Sequence, residues 1–171
     1  MRNLYKGIIT IFLMLFFIFE VSMAQQSNSE IFEVGQEWFY KNRKGEDHST
    51  IHIFEIVDAP DGKRMMSISF SDVKIFLHRK DKEAMNYMPH IPIFEETLRA
   101  EVIQLAPEDY QATNRATSEE EFEGHNVWKE AFDNGEAGAY TIPLSEILDG
   151  IQTAVLDYAK EQPDYEFQGA I

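Results

Sequence analysis

The chain has no cysteine among its 171 residues. That excludes disulfides, thiolate metal sites, cysteine nucleophiles and lipid attachment through a thiol. Positive charge is scarce: 15 Lys and Arg stand against 30 Asp and Glu, for a formal charge of −15. Such a chain has no general attraction for nucleic acid, whose binding depends on cations that neutralise phosphates. There is no internal repeat, which excludes a solenoid. No G-x-S-x-G, Gly-rich phosphate loop, H-E-x-x-H or EF-hand loop occurs, so none of these motifs names a reaction. What is present is 44% apolar and 13% aromatic residues, too rich for a disordered chain and enough for one globular core.

The first 24 residues read as an export signal. Arg2 and Lys6 supply a positive start, Gly7 to Phe19 is almost wholly apolar, and Ser22-Met23-Ala24 offers small residues where a signal peptidase cuts. The apolar run is shorter than the roughly 20 residues that cross a bilayer as a helix, and Glu20 interrupts it. Cleavage after Ala24 leaves a periplasmic or secreted chain with no later apolar run able to span a membrane. It also leaves 13 basic and 29 acidic side chains. Without disulfides, that exported chain must be held by its core, which fits a bacterial envelope better than a small disulfide-dense extracellular module.

Residues 25–34 read as a flexible lead-in, 35–162 as a single domain and 163–171 as a polar tail. Trp38 to Tyr40, the turn-like Asn42 to Asp47, and Ser49 to Val57 predict a hairpin. Ala59-Pro60-Asp61-Gly62 marks a second turn. Met66, Ile68 and Phe70 then alternate with Ser67, Ser69 and Ser71, one apolar and one hydroxyl-lined face of a strand. A fourth run, Val73 to Leu77, continues past a bend near Asp72. Beyond Pro89 and Pro92 the period becomes helical. Phe94, Leu98, Val102 and Leu105 predict one helix over 94–105. Ser118 with Glu121 suggests a capping box ahead of Phe122, His125, Trp128 and Phe132, with Gly135 as the stop. Ala139 to Ile142 is a short strand candidate, and Leu144, Ile147, Leu148, Ile151, Val155 and Tyr158 form the stripe of a last helix ending before Pro163. Strands first and helices later predict an α+β domain: an antiparallel sheet of four to five strands, an N-terminal meander, covered on one face by two to three helices of the C-terminal half.

Charge divides along the chain. Residues 35–82 carry 9 basic and 8 acidic side chains, whereas residues 83–171 carry 4 basic and 19 acidic. Acidic solvated helix faces serve solubility; the functional alternative is attraction of a cationic partner. Among the five histidines, His48 and His52 share a face of an extended segment, with Glu46, Asp47, His78 or His90 as further ligands, but no spacing specifies a metal and surface or turn histidines are the better account. His125, on an apolar helical stripe, reads as a hydrogen-bonded boundary residue. Glu95/Glu96 and Glu119/Glu120/Glu121 are neighbours at helix starts, which the helix dipole explains without catalysis. Asp133-Asn134-Gly135-Glu136 lacks the alternate ligands of a calcium loop and reads as a helix end.

At the first hairpin stand Gly35, Gln36, Trp38, Tyr40, Lys41, Arg43, Gly45 and Glu46, followed by Ser49 and Thr50. Further on come Met88-Pro89, Glu95-Glu96-x-Leu98 and Trp128-x-x-Ala131-Phe132-x-x-Gly135-x-Ala137-Gly138. In these the chain resembles a set of small uncharacterised exported bacterial proteins, over most of its mature length. The resemblance implies no activity and no residue's role. Where those proteins place a His before Met-Pro, this chain has Tyr87, so the position implies neither a metal ligand nor a base.

These observations predict an exported, acidic, non-enzymatic binding domain that engages a basic protein, of inhibitor or immunity type, without cofactor, metal or nucleic acid. The binding candidates are Trp38, Tyr40, Arg43, Glu46, Tyr87 and Trp128, because large aromatics and Arg dominate interfaces. The acidic partner face comprises Glu119, Glu120, Glu121, Glu123, Glu130 and Asp133. The alternative is a small-molecule-binding or hydrolytic domain, with a pocket between sheet and helices lined by Trp38, Tyr40, Phe70, Tyr87 and Trp128.

Overall fold

Two kinds of residue alternate along Met66–Ser71, and the two faces they create organise the fold. In the computed structural model, which describes residues 31–77, 84–113 and 115–161, they occupy the middle of strand β3 (Arg64–Phe76). Strands β1 (Glu37–Tyr40), β2 (Thr50–Asp58), β3 and β4 (Ala84–Phe94) form an antiparallel meander. Strand β5 (Val102–Leu105) returns to pair with β1, giving the order β4-β3-β2-β1-β5. Three helices complete the α+β fold: α1 (Glu95–Glu101), α2 (Ser118–Asp133) and α3 (Leu144–Glu161). None of the helices among the described residues is long and apolar enough to cross a membrane. The expected leader, residues 1–24, the tail from residue 163, and His78 lie outside the described residues.

The apolar face of the sheet carries the core. Met66, Ile68 and Phe70 are fully buried there with Trp38, Tyr40, Ile51, Ile53 and Ile93. Leu98 of α1 and Leu144, Ile147 and Leu148 of α3 close that face. Each fully buried Leu or Ile is worth about 1.5–3 kcal/mol, so the three from α3 supply on the order of 5–9 kcal/mol of attachment. The third helix, α2, covers the other face, because Ser67 and Ser69 there meet polar side chains from it. Phe32, expected in the flexible lead-in, is 1% exposed and packs edge-on against Trp38 with centroids 5.2 Å apart.

Several boundaries differ from the periodicity, each for a local reason. The bend at Asp72 does not end a strand: Asp72 takes a left-handed φ of 57°, the register slips between Ser71 and Ile75, and β3 runs on to Phe76. The fourth strand is instead 84–94, through Pro89 and Pro92. Proline is tolerated because β4 is an edge strand. The predicted 94–105 helix stops at Glu101, where β-branched Val102 and Ile103 begin β5 and Val102 pairs with Tyr40. The candidate strand at 139–142 is reduced to one parallel bridge, Tyr140 with Ile93. Tyr158 ends the α3 stripe half exposed, at 51%.

Candidate functional site

The hydroxyl face of β3 and the inner side of α2 enclose a buried polar cluster. Its frame is set at the start of α2, where Thr117 is the cap: its hydroxyl accepts from the Glu120 N–H at 3.3 Å, and the Glu120 carboxylate accepts from the Thr117 N–H at 3.0 Å. The capping box therefore lies one residue earlier than the Ser118/Glu121 pair. Glu120 is drawn to the helix start, where it also accepts from the Tyr87 hydroxyl at 2.8 Å. Those bonds, the Thr117 N–H first, hold the Glu120 carboxyl below its ordinary range. The bond to Glu120, with burial adding to it, raises the Tyr87 hydroxyl in turn.

Glu121, one position on, points into the protein and is 1% exposed. Its expected place on an exposed acidic face is thus corrected: at 100° per residue, the step from 120 to 121 carries the side chain onto the sheet. As a carboxylate it only accepts, and it takes the Ser69 hydroxyl at 2.6 Å and the His52 Nδ1–H at 2.9 Å on one oxygen. The Arg115 guanidinium lies 2.6 Å from both His52 ring nitrogens, and with Nδ1 donating to Glu121 it is Nε2 that accepts from it. A buried carboxylate is thereby linked to a rim cation through one imidazole.

Beside this chain, Ser67 sits between two rings. Its Oγ is 2.9 Å from His125 Nδ1 and 3.1 Å from His90 Nε2. With these two rings as its partners, the hydroxyl proton is satisfied by donating to one ring while the oxygen accepts an N–H from the other. Both rings are uncharged at neutral pH. Burial pushes His90 down to about 4, assisted by His125 nearby. Burial also lowers His125, with Glu55 pulling the other way and Lys129 adding to the decrease. Phe54 meets both rings edge-on at 5.8 and 6.2 Å, and Trp128 stands 5.6 Å from each. Gly124 lets the helix come this close: a Cβ there would lie 2.6 Å from the His90 Cβ. Among the described residues no buried side-chain nitrogen or oxygen lacks a partner.

A serine beside an imidazole is a nucleophile–base arrangement, but Ser67 is 1% exposed and a second ring closes its other side. Among the described residues, surface grooves of about 770, 520 and 590 Å³ lie elsewhere: beside α1 near Arg64 and Glu95, around Glu46 and Asp72, and between Lys74 and Asp149. None is lined by Ser67, His90 or His125. What the cluster does by its geometry is fasten α2 to the sheet.

The other expected binding residues divide between the two faces. Trp38 is 1% exposed, its indole N–H donating to Gln36 at 3.0 Å, and Tyr40 is fully buried, its hydroxyl 2.8 Å from Ser49 and raised well above its ordinary range by burial. Both lie in the α3-side core, whereas Tyr87 and Trp128 lie on the α2 side. The pocket drawn from Trp38, Tyr40, Phe70, Tyr87 and Trp128 is therefore corrected, because alternation along the strands puts its walls on opposite sides of the sheet. Arg43 and Glu46 brace the first hairpin loop. Arg43 Nε donates to Glu46 at 3.0 Å, its guanidinium reaches the other carboxylate oxygen, Asp149 at 3.1 Å and the Lys74 carbonyl at 3.0 Å, and Glu46 accepts the Lys74 N–H at 2.7 Å. Glu46 is 4% exposed.

The outer side of α2 carries what remains of the acidic face. Glu119, Glu123 and Glu130 fall on one line and are exposed, flanked by Phe122 at 44% and Val127 at 70% exposure. Among the described residues no cation pairs with these three, while Asp133 is paired with Lys129 at 2.5 Å. His48 is exposed, and no group of three histidines or carboxylates among the described residues is placed to hold a metal. The sequence reading missed Ser67, Ser69, His90, Thr117 and Gly124 as parts of one cluster; the serine alternation was its only signal. Compared with protein-family models, curated proteins and solved structures, the chain has no match. No relative's activity therefore comes to these residues.

Proposed function

We propose that this is an exported, non-enzymatic binding domain, of inhibitor or immunity type, that engages a basic protein through the outer side of α2. The supporting observation is the line Glu119–Glu123–Glu130, three exposed carboxylates without a cationic partner among the described residues, flanked by exposed Phe122 and Val127. Carboxylates in a row steer a cationic surface and fix its register, and the two apolar side chains supply contact area that excludes water. Among the described residues the buried titratable groups have partners within the chain, so the surface charge is what a partner meets.

The test is affinity capture of the mature protein from envelope and culture-supernatant fractions, at low and high salt, beside a Glu119→Gln/Glu123→Gln/Glu130→Gln variant. A cationic protein retained by the unaltered chain, lost at high salt and lost by the variant, supports the reading. Retention of the same proteins by both chains sinks it.

A further inference from the structure

Helices α2 and α3 are attached by different physics. Helix α3 inserts Leu144, Ile147 and Leu148 into the core, each at most 2% exposed. The buried residues of α2 are Glu121, His125 and Trp128. Its hold on the sheet rests on hydrogen bonds, those of Glu121 to Ser69 and His52, of Glu120 to Tyr87, and of the uncharged His125 to Ser67, with one large apolar side chain beside them.

We propose that α2 is an acid-released strap: protonation of His90 and His125 undocks it from the sheet while the strands and α3 stay folded. The geometry carries this. Ser67 has these two rings as its partners, so its hydroxyl proton is satisfied only when one ring nitrogen accepts it. Once both rings are protonated, two N–H groups point at the same oxygen and the hydroxyl proton loses its acceptor. Two cations then face each other with centroids 5.8 Å apart, inside a box walled by Phe54 and Trp128. Gly124 sits directly on His90, so the contact has no slack to absorb the repulsion.

The charges around the pair do not cancel this. From β2, Glu55 attracts a charged His125, and His52 is committed to Glu121 and Arg115. From β4, Tyr87 is bound to Glu120. From α2 itself, Lys129 repels a charged His125. Strand β3 contributes the two serine hydroxyls. Free imidazoles take up protons near 6.5 while the docked rings resist until lower pH, so protons favour the undocked state across that interval. The inference goes beyond the partner reading, and its readout requires no partner.

Hydrogen–deuterium exchange of the full mature protein tests it, at pH 7 and pH 5 with exchange times scaled for the intrinsic rate. At pH 5 ordinary carboxylates are still mostly ionised. The expected result is a loss of protection on the order of tenfold in peptides from 118–133, with peptides from 64–76 and 144–161 unchanged. Equal losses in α2 and α3, or none in α2, would overturn the proposal. A His90→Gln/His125→Asn chain should lose the acid response, and keeping it would refute the assignment to these rings. Should that chain not fold, imidazole NMR of the unaltered protein decides: the two rings must titrate together with the α2 amides, and independent titration refutes the strap.

Discussion

Gly124 and Gly150 both lie inside helices, yet replacing each by alanine is expected to move stability in opposite directions. Neither has the left-handed backbone that would strain alanine. Each replacement gains helix propensity, worth about 1 kcal/mol. At Gly150 the new methyl group meets nothing within 4 Å, so Gly150→Ala should stabilise by about 0.5–1 kcal/mol. At Gly124 it would lie 2.6 Å from the Cβ of His90, against an ordinary carbon–carbon contact of about 3.5–4.0 Å. That neighbour is the root of a side chain fixed to β4, so α2 must lift by roughly 1 Å. Overpacking of this kind costs about 1–3 kcal/mol. The lift also stretches the His125–Ser67 hydrogen bond from 2.9 Å, losing about 1 kcal/mol more. The net expectation for Gly124→Ala is a loss of about 1–3 kcal/mol. Urea denaturation at neutral pH and thermal melting measure both variants, at about 2–4 °C of Tm per kcal/mol for a chain of this length. If Gly124→Ala were as stable as the parent or more so, close approach of α2 to the sheet would be refuted.

Other substitutions test the frame of α2 and its buried bonds. Thr117→Ala should cost about 1 kcal/mol, the usual loss of an N-cap, whereas Ser118→Ala should cost almost nothing; reversed values in chemical denaturation would restore the later cap. Glu121→Ala leaves the Ser69 hydroxyl and the His52 N–H buried without their acceptor, a loss of about 2–6 kcal/mol at roughly 1–3 kcal/mol per orphaned group, measurable by urea titration. Stability should fall as pH drops from about 6.5 toward 4, because the unfolded chain binds protons that the docked His90 refuses. A ring held at about 4 rather than 6.5 sets a ceiling of about 3 kcal/mol. Solvent reaching a half-buried ring reduces that to about 1–2 kcal/mol. Denaturation midpoints across this range check it, and the slope should flatten in His90→Gln.

The apolar side of the fold was legible because periodicity reports burial directly. The alternation at Met66–Ser71 and the stripe from Leu144 to Val155 both meet the core as their spacing predicts. The 94–105 segment misled because Phe94, Leu98, Val102 and Leu105 fit a helical period, while the deciding interaction, pairing of Val102 with Tyr40, joins residues far apart in sequence. Strand β4 was hidden by Pro89 and Pro92, which read as breakers; only the sheet order shows that the strand is an edge where they are tolerated. The resemblance motif of the first hairpin becomes intelligible in the same way. Trp38 and Tyr40 fill the core, Arg43 and Glu46 lock the loop to β3, and Gly45 takes a φ of 85° that favours glycine.

The polar side was legible in composition but not in partnership. Serines on one face of a strand announce that something must satisfy or solvate them, without saying which helix supplies the partners. The answer turned on a single position. Both Thr117/Glu120 and Ser118/Glu121 fit the capping-box spacing, and nothing local separates them. With Ser118 as the cap, Glu121 would turn back to the helix start, as Glu120 does in the structure, and Ser69 and His52 would be left buried without an acceptor. With Thr117 as the cap, Glu120 closes the box and Glu121 falls onto the sheet, where two donors await it. A buried orphan costs about 1–3 kcal/mol, while the two caps differ by only tenths. Tertiary satisfaction therefore selects the cap. The same choice turns Glu119, Glu123 and Glu130 outward and settles which acids of this helix face solvent.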